Sequence, residues 1–575
     1  MANLNPAHPR LIISGNIWTR LARQRQADPL LDCLLDQLRR RAEIILAQPV
    51  VERRMEGRRL LMVSRDVLYR ALTLIIAFRL GHDARFARRA VAELEAAASF
   101  SDWNPAHFLD VAEMTAALAL GYDWLHDRLA PAQQRAIRQA IIEKGLRAAT
   151  VSDPQIIWWK TSDNNWNQVC WGGLTLGALA VADDEPALAG EILAQAKAGI
   201  HHGLAPYAPA GVYPEGPMYW SYGTTYQAIM VSALQSALGT DWGLADAPGF
   251  RQSAEWQIHE TGPGGRFFNF SDCRATAQLD PVLFWFATRY NDSGLLCFQK
   301  DQLAQLCAAP ADRLNLHAQH LFPLAAVWWR GPSPAPNFAA AAAGDGKNPI
   351  AVIRSAWNDP AALYLAVKAG SAAVSHGHMD AGSFVLELDG QRWAVDLGMQ
   401  EYDTLEAIGL ELWGRDRWQV YRLNNHSHNT LTVNGRLHNP QGRAEITDFS
   451  PVTVSVNLTP VLGVQATRAF ATDGTVGVQI HDRLDGLNPG DQITWQTLTP
   501  ADVEIIAADS EALLRQNGKT LRVKFTVSGG AAQLTATPAT GPNAYDAPNP
   551  GITRLALTVT AAAAKVIIRS SLAKE

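Results

Sequence analysis

The sequence predicts a multidomain α+β protein, helical over residues 1–330 and antiparallel β over 349–575, joined by a linker at 331–348. Apolar residues recur at helical spacing through the first part. A Pro-rich and then small-residue stretch, Gly331-Pro-Ser-Pro-Ala-Pro336 running on to Gly346, interrupts that pattern. After it come short alternating segments bounded by turn signals. At 575 residues the chain is also too long for a single core.

In chain order, the spacing predicts helices over 30–47 (stopped by Pro49), 64–80, 84–99, 108–129, 130–149, 165–181, 185–202 and 220–238. Pro131 occupies a permitted first-turn position. Sequential helices of this kind form a bundle, a solenoid or an (α/α) toroid, and periodicity does not choose among them. No fixed-length repeat is present. Strands are predicted over 363–368, 429–435, 452–457, 477–482 and 520–525, enough with their neighbours for a sandwich. Phe384-Val-Leu-Glu-Leu-Asp-Gly-Gln-Arg-Trp-Ala-Val-Asp396 reads as a hairpin about Asp389-Gly390, which sets Asp396 opposite Phe384.

With 47% hydrophobic and 18% charged residues, the composition is that of a globular enzyme. With a net charge of −5, nothing suggests a general nucleic-acid or anionic-membrane binder. No run of about 18 apolar residues is present to span a membrane. The five cysteines (Cys33, Cys170, Cys273, Cys297, Cys307) form no metal spacing and are odd in number. That speaks against a disulfide framework and for a reducing compartment. No signal peptide is visible, so the expected location is cytoplasmic, or periplasmic if a leader has been removed. The 18 Trp, many beside polar residues, suit sugar rings or a packed core.

Four stretches could carry chemistry. Ser375-His376-Gly377-His378-Met379-Asp380-Ala381-Gly382-Ser383-Phe384 puts two imidazoles at alternate positions. His378 with Asp396 and a histidine of Asn424-Asn-His426-Ser-His428 would give three N/O ligands with one open position, a set that suits zinc. The same histidines could instead cap strands. In Tyr213-Pro-Glu215-Gly-Pro-Met-Tyr219-Trp-Ser-Tyr222-Gly-Thr-Thr-Tyr226, three tyrosines share one helical face. A tyrosine can pass a proton when cations lower its pKa from about 10; a packed aromatic stripe is the blander alternative. Asp163-Asn164-Asn165-Trp166-Asn167-Gln168 holds more amides than a helix cap needs. Phe267-Phe-Asn-Phe-Ser-Asp272-Cys-Arg274 is an aromatic turn carrying an acid and a base.

Together these stretches resemble the heparinase II/III-like family of polysaccharide lyases, which includes oligo-alginate lyases. The carriers are the 375–384 stretch, Asp396-Leu-Gly, His428-Asn-Thr, Asn164-Asn165-Trp166 and Glu215-Gly-Pro-Met-Tyr-Trp-Ser-Tyr222. His8-Pro-Arg-Leu11 and Gly121-Tyr-Asp-Trp-Leu125 add to them, in family order along nearly the whole chain. The resemblance implies an incomplete (α/α) toroid followed by an antiparallel β-sandwich, and β-elimination at a uronic acid that leaves a 4,5-unsaturated end. It further implies Tyr222 as the proton-transferring tyrosine, Tyr219 as the second choice, and His376 as base or carboxylate neutraliser. Asn165, with Asn164 beside it, would grip the substrate carboxylate, and His378, Asp396 and His428 would hold a structural zinc. Relatives place His after the second Asn, where Trp166 stands here; Tyr222 would then serve as both base and acid. Trp166, Glu215, Tyr226, Arg415, Arg417 and Arg422 are the further candidates for binding substrate.

Two other functions fit some of the same residues. An (α/α)-toroid glycoside hydrolase needs a pair of carboxyls, which Asp163, Glu215 and Asp272 could supply. A non-catalytic polysaccharide-binding protein needs neither. The expected partner is an acidic polysaccharide or oligosaccharide, with no nucleic acid, no membrane, and a possible homo-oligomer.

Overall fold

The computed structural model describes residues 3–13, 16–311, 320–333, 336 and 338–575. Contacts divide the chain into two compact units. The first comprises Met1–Pro206, Tyr219–Ala254 and Gln278–Pro336, the second Tyr207–Met218, Glu255–Ala277 and Asn337–Glu575. The predicted linker separates helices from sheets in sequence, yet two segments that precede it belong to the second unit.

The first unit is built of long helices: Pro29–Ala47, Leu61–Gly81, Ala84–Ser99, Phe108–Trp124, Pro131–Ala140, Asn165–Ala180, Pro186–Leu204 and most of Pro217–Leu238. Asp28 starts Pro29–Ala47 by accepting from the Leu30 and Leu31 amides. Phe108–Trp124 is apolar on all sides and every residue of it is buried, as a central helix must be. A Cβ on Gly173 would lie 2.2 Å from the Ala112 carbonyl oxygen, so helix Asn165–Ala180 reaches it backbone to backbone.

Two helices are shorter than their patterns predict. The 108–129 pattern ends at Trp124 and continues as a 3-10 turn, His126–Arg128. The 130–149 pattern is regular only to Ala140, then widens to a π turn, Ile141–Leu146, and tightens at Arg147–Ala149. Within the π turn, Lys144 reaches the carbonyl oxygens of Ala98 and Phe100.

The two shorter sequence marks dock on each other. Asp123 is fully buried and accepts from His8 Nδ1 and from the Arg10 and Leu11 amides, while Trp124 donates to the Leu11 carbonyl. Cys33 and Cys307 form a disulfide, which corrects the reading of the cysteines. An odd total does not preclude one pair, and a separation of 274 residues leaves no spacing to recognise. Cys170 and Cys273 are buried free thiols.

In the second unit a five-stranded antiparallel sheet runs in chain order: β1 (Ala341–Gly344), β2 (Ile350–Arg354), β3 (Tyr364–Lys368), β4 (Phe384–Leu388) and β5 (Gln391–Ala394). β1 lies inside the predicted linker, a correction to that reading. Its small residues pair with β2 from Ala341↔Ile353 to Gly344↔Ile350, and tertiary pairing overrides their weak strand preference. Linker residues 334, 335 and 337 lie outside those described.

Alternate residues of this sheet enter two cores. Ile350, Val352, Tyr364, Ala366 and Val385 pack on Val212, Trp256, Phe268 and Phe270. Ala351, Leu365, Val367, Phe384 and Leu386 join the larger β core. That core is closed by an eight-stranded sheet, ordered Asp502–Ala507, Glu511–Gln516, Lys519–Ser528, Lys565–Lys574, Gly477–Asp485, Gln465–Thr472, Thr453–Asn457 and Glu445–Ser450. A four-stranded sheet, Gly530–Pro538, Thr553–Ala561, Gln492–Thr499 and Leu431–Val433, completes it. The β4–β5 turn forms as the sequence predicts, with positive φ at both Asp389 (55°) and Gly390 (74°).

Candidate functional site

The 371–383 segment between β3 and β4 is tied down along its length. Gly382 N–H donates to the Lys368 carbonyl, Met379 N–H to Leu423, and Thr430 Oγ1 to Ala381. Lys368 and Asp380, both fully buried, form an ion pair 2.5 Å apart. Gly377 is required by space, since a Cβ there would meet the Ala372 carbonyl oxygen at 2.6 Å. His376, beside it, sits at φ 60°, a left-handed conformation that a non-glycine residue adopts at a cost of about 1–3 kcal/mol.

That conformation brings His376 Nδ1 to Glu215 Oε2 at 2.7 Å. Glu215 Oε1 accepts from the Tyr213 hydroxyl at 2.6 Å. A carboxylate on Nδ1 fixes the imidazole tautomer and stabilises the imidazolium when it forms. Glu215 is 1% exposed, so it orients His376 and is not the substrate contact the sequence suggested. On its other sides the His376 ring meets Tyr402, stacked with centroids 6.4 Å apart, and Trp413, edge-on at 5.2 Å.

Alternation sends His378 elsewhere, to Asp272, with Nε2 2.9 Å from Oδ1. Asp272 Oδ2 also accepts from Tyr402 and from Arg417 Nη2, each at 2.9 Å. Burial pushes the Asp272 carboxyl up, but Arg417 and His378 outweigh it and hold it well below the usual carboxylate range. Burial lowers the pKa of His378 despite Asp272, so its imidazole is neutral.

The three predicted metal ligands are neighbours. His428 Nδ1 lies 2.8 Å from Asp396 Oδ2, and the His378 and His428 rings are 5.3 Å apart. His378 Nδ1 and His428 Nε2 are buried with no hydrogen-bond partner. Burial lowers the His428 pKa, yet Asp396 more than compensates and raises it. Among the described residues no three His, Cys, Asp or Glu side chains are grouped as a metal would need. The donors thus suit a metal in kind: two orphaned imidazole nitrogens, with Asp396 engaged on His428. His426, the alternative ligand, is half-buried and does not take part in this contact.

In the first unit, the Tyr222 hydroxyl donates to Glu113, a fully buried carboxylate on the buried helix Phe108–Trp124. Arg65 lies 3.2 Å from Glu113 and 5.0 Å over the Tyr222 ring, and His320 Nε2 lies 3.1 Å from Glu113. Burial raises the Glu113 pKa, but Arg65 and His320 override it and bring it down to about 2. Burial and Glu113 push the Tyr222 phenol well above its ordinary value, so it stays protonated. Tyr219 is half-buried on the same helix, whereas Tyr226 is fully buried and belongs to the core, not to a substrate surface.

Asn164 caps helix Asn165–Ala180 by accepting from the Trp166 amide. Asn167 binds the carbonyls of Trp159, Lys160 and Gly199, which is structural. Asn165 is 1% exposed at the helix start. Trp166 packs on Trp158 and edge-on to His107. Of the arginines, Arg417 is buried on Asp272 and the Gly377 carbonyl, and Arg422 secures Met399 and Asn549. Arg415 is 84% exposed, with Glu411 and Asp416 its nearest charges.

Glu113, Arg65, Tyr402 and Trp413 escaped the sequence reading. Glu113 had a signal, as an acid amid apolar residues in the middle of a fully buried helix. The other two stretches offered none, because their partners are far off in sequence.

Residues 350–567 match the family model described as heparinase II/III-like, C-terminal. No curated protein matches the chain. Among solved structures, a mutant heparan sulfate lyase from Pedobacter heparinus is 13% identical. The match covers 88% of this chain and 76% of that one, with a TM-score of 0.61. A heparinase III gene product is 13% identical over 90% of this chain and 78% of its own, TM-score 0.59. A chondroitin AC lyase from Streptomyces coelicolor A3 is 13% identical over 94% and 79%, TM-score 0.52. At such identities the likeness establishes the fold, a helical toroid followed by an antiparallel β-sandwich.

Proposed function

We propose that this chain, whose residues 350–567 match the heparinase II/III-like C-terminal family model, is a carbon–oxygen lyase cleaving a uronate-containing polysaccharide or oligosaccharide by β-elimination. The observation that carries the proposal is the His376–Glu215 dyad, held in a strained backbone within the family's own sequence mark. In the reaction the C5–H and C4–O4 bonds break, C4=C5 forms, one group takes H5 and another protonates O4. The carboxylate on C5 must be neutralised for its proton to leave. For H5 the candidate is His376, oriented by Glu215, and for O4 the candidate is the Tyr222 hydroxyl. A hydrolase is disfavoured because Glu215 and Asp272 are both buried and engaged, and Asp272 is too acidic to donate a proton.

We also propose that His378, Asp396 and His428 hold a zinc ion, supported by the two buried, unsatisfied imidazole nitrogens. Its role is to secure the 371–383 segment, with no step of the elimination passing through it.

Incubation with a panel of acidic polysaccharides, followed by ultraviolet absorbance, tests the lyase proposal. A C4=C5 bond conjugated to the carboxylate absorbs, and hydrolysis products do not. At least one polymer should give rising absorbance, and Tyr222→Phe should lower the rate by about 10²–10⁴-fold. Flat traces on every uronate polymer would sink the lyase reading; an undiminished Tyr222→Phe rate, with Tyr219→Phe inactive, would transfer the acid role to Tyr219.

A further inference from the structure

The segment from Tyr402 to Arg417 carries a group that the reaction scheme does not use. Leu405 and Leu412 are buried with Val420 and Leu423, so the segment is anchored in its own apolar cluster. Trp413, next to buried Leu412, is nevertheless 52% exposed. One side of its indole is fully specified. It meets His376 edge-on at 5.2 Å, Tyr402 at 5.2 Å, and the Arg417 guanidinium at 5.6 Å. Tyr402 is fixed in turn by its hydroxyl on Asp272. The aromatic surface is thus rigid, partly open, and in contact with the imidazole assigned to take the proton.

Such a surface fits a pyranose ring. A sugar's C–H face stacks on an indole, while its hydroxyls and carboxylate remain at the rim, where charge and amide groups can reach them. Arg417 adds positive charge below the indole, and its Nη1, buried, donates to no group among the described residues. An exposed indole face beside a guanidinium and an imidazole suits an anionic sugar ring.

We propose that Trp413, backed by Tyr402, is the stacking floor of a uronate subsite at His376, which sets the ring that loses its proton against the imidazole. This deepens the lyase reading and rests on it for the identity of the ring.

The test compares wild type, Trp413→Ala and Trp413→Phe in the full chain, on a polymer and on an oligouronate. Turnover is followed by ultraviolet absorbance, and equilibrium binding by calorimetry. Trp413→Ala should weaken both KM and Kd by about tenfold, the worth of one aromatic stack, with the loss falling on KM more than on kcat. Trp413→Phe should recover most of it. Because the side chain is half-exposed, melting temperatures should agree among the three proteins. Wild-type turnover with unchanged KM and Kd in Trp413→Ala overturns the subsite and leaves the lyase reading standing. Binding that weakens in Trp413→Ala with no wild-type turnover supports the subsite and overturns the lyase reading. Neither binding nor turnover overturns both.

Discussion

Glu113 shows how a single buried charge shapes a site. It is enclosed by apolar helix and retains its charge because Arg65 and His320 repay the desolvation. Its pKa is depressed from 4.5 to about 2, so its contribution to stability is complete above pH 4.5 and is lost as pH falls through 2. This group alone should account for about 3 kcal/mol over that window. Glu113→Gln deprives buried Arg65 of its main counter-charge, at a cost of about 3–5 kcal/mol near neutral pH. The variant's acid limb should be flatter between pH 4.5 and 2. Denaturant unfolding at stepped pH checks this, and an acid limb as steep as the wild type's would contradict it. The histidines were the legible part of the residue scale: period-two alternation separates His376 from His378, and they do meet different carboxylates. Their partners, Glu215 and Asp272, lie 161 and 106 residues away, a pairing that no local pattern encodes.

At the scale of elements, several helices capped by Asp or bounded by Pro were readable to within a few residues, although Pro281–Arg289, capped by Asp280, was not predicted. Ala84–Ser99 matches its pattern at both ends, and Asp83 accepts from the Arg85 amide at its start. Departures came where the chain bends without a Pro or Gly-rich signal, as in Ile141–Leu146. β1 was hidden because Ala-Ala-Ala-Gly has no strand preference of its own and depends on β2. The 371–383 segment is fixed by protein bonds on every side, and the zinc proposal concerns what completes it. Elemental analysis of metal-replete protein should find about one zinc per chain, lost in His428→Ala. Metal-free protein with an unaltered melting temperature would remove zinc from the account and leave the Lys368–Asp380 pair and the Gly382 and Met379 amides to hold the segment.

For the whole molecule, the change from helical to strand periodicity located the two kinds of structure correctly, but not the two units. Tyr207–Met218 and Glu255–Ala277 precede the change and yet supply Glu215 and Asp272 to the β unit. Their apolar residues Val212, Trp256, Phe268 and Phe270 meet one face of the five-stranded sheet, and that tertiary fit outweighs position in the chain. His376, proposed to take H5, and the carboxylates of Glu215 and Asp272 therefore belong to one unit, and the Tyr222–Glu113 pair to the other. β-elimination is the claim on which these assignments depend. The most direct measurement is the mass of the products from one defined oligouronate. Elimination predicts two fragments whose masses sum to that of the substrate, one of them carrying the unsaturated ring. Fragments that together exceed it by one water would show hydrolysis and contradict the account.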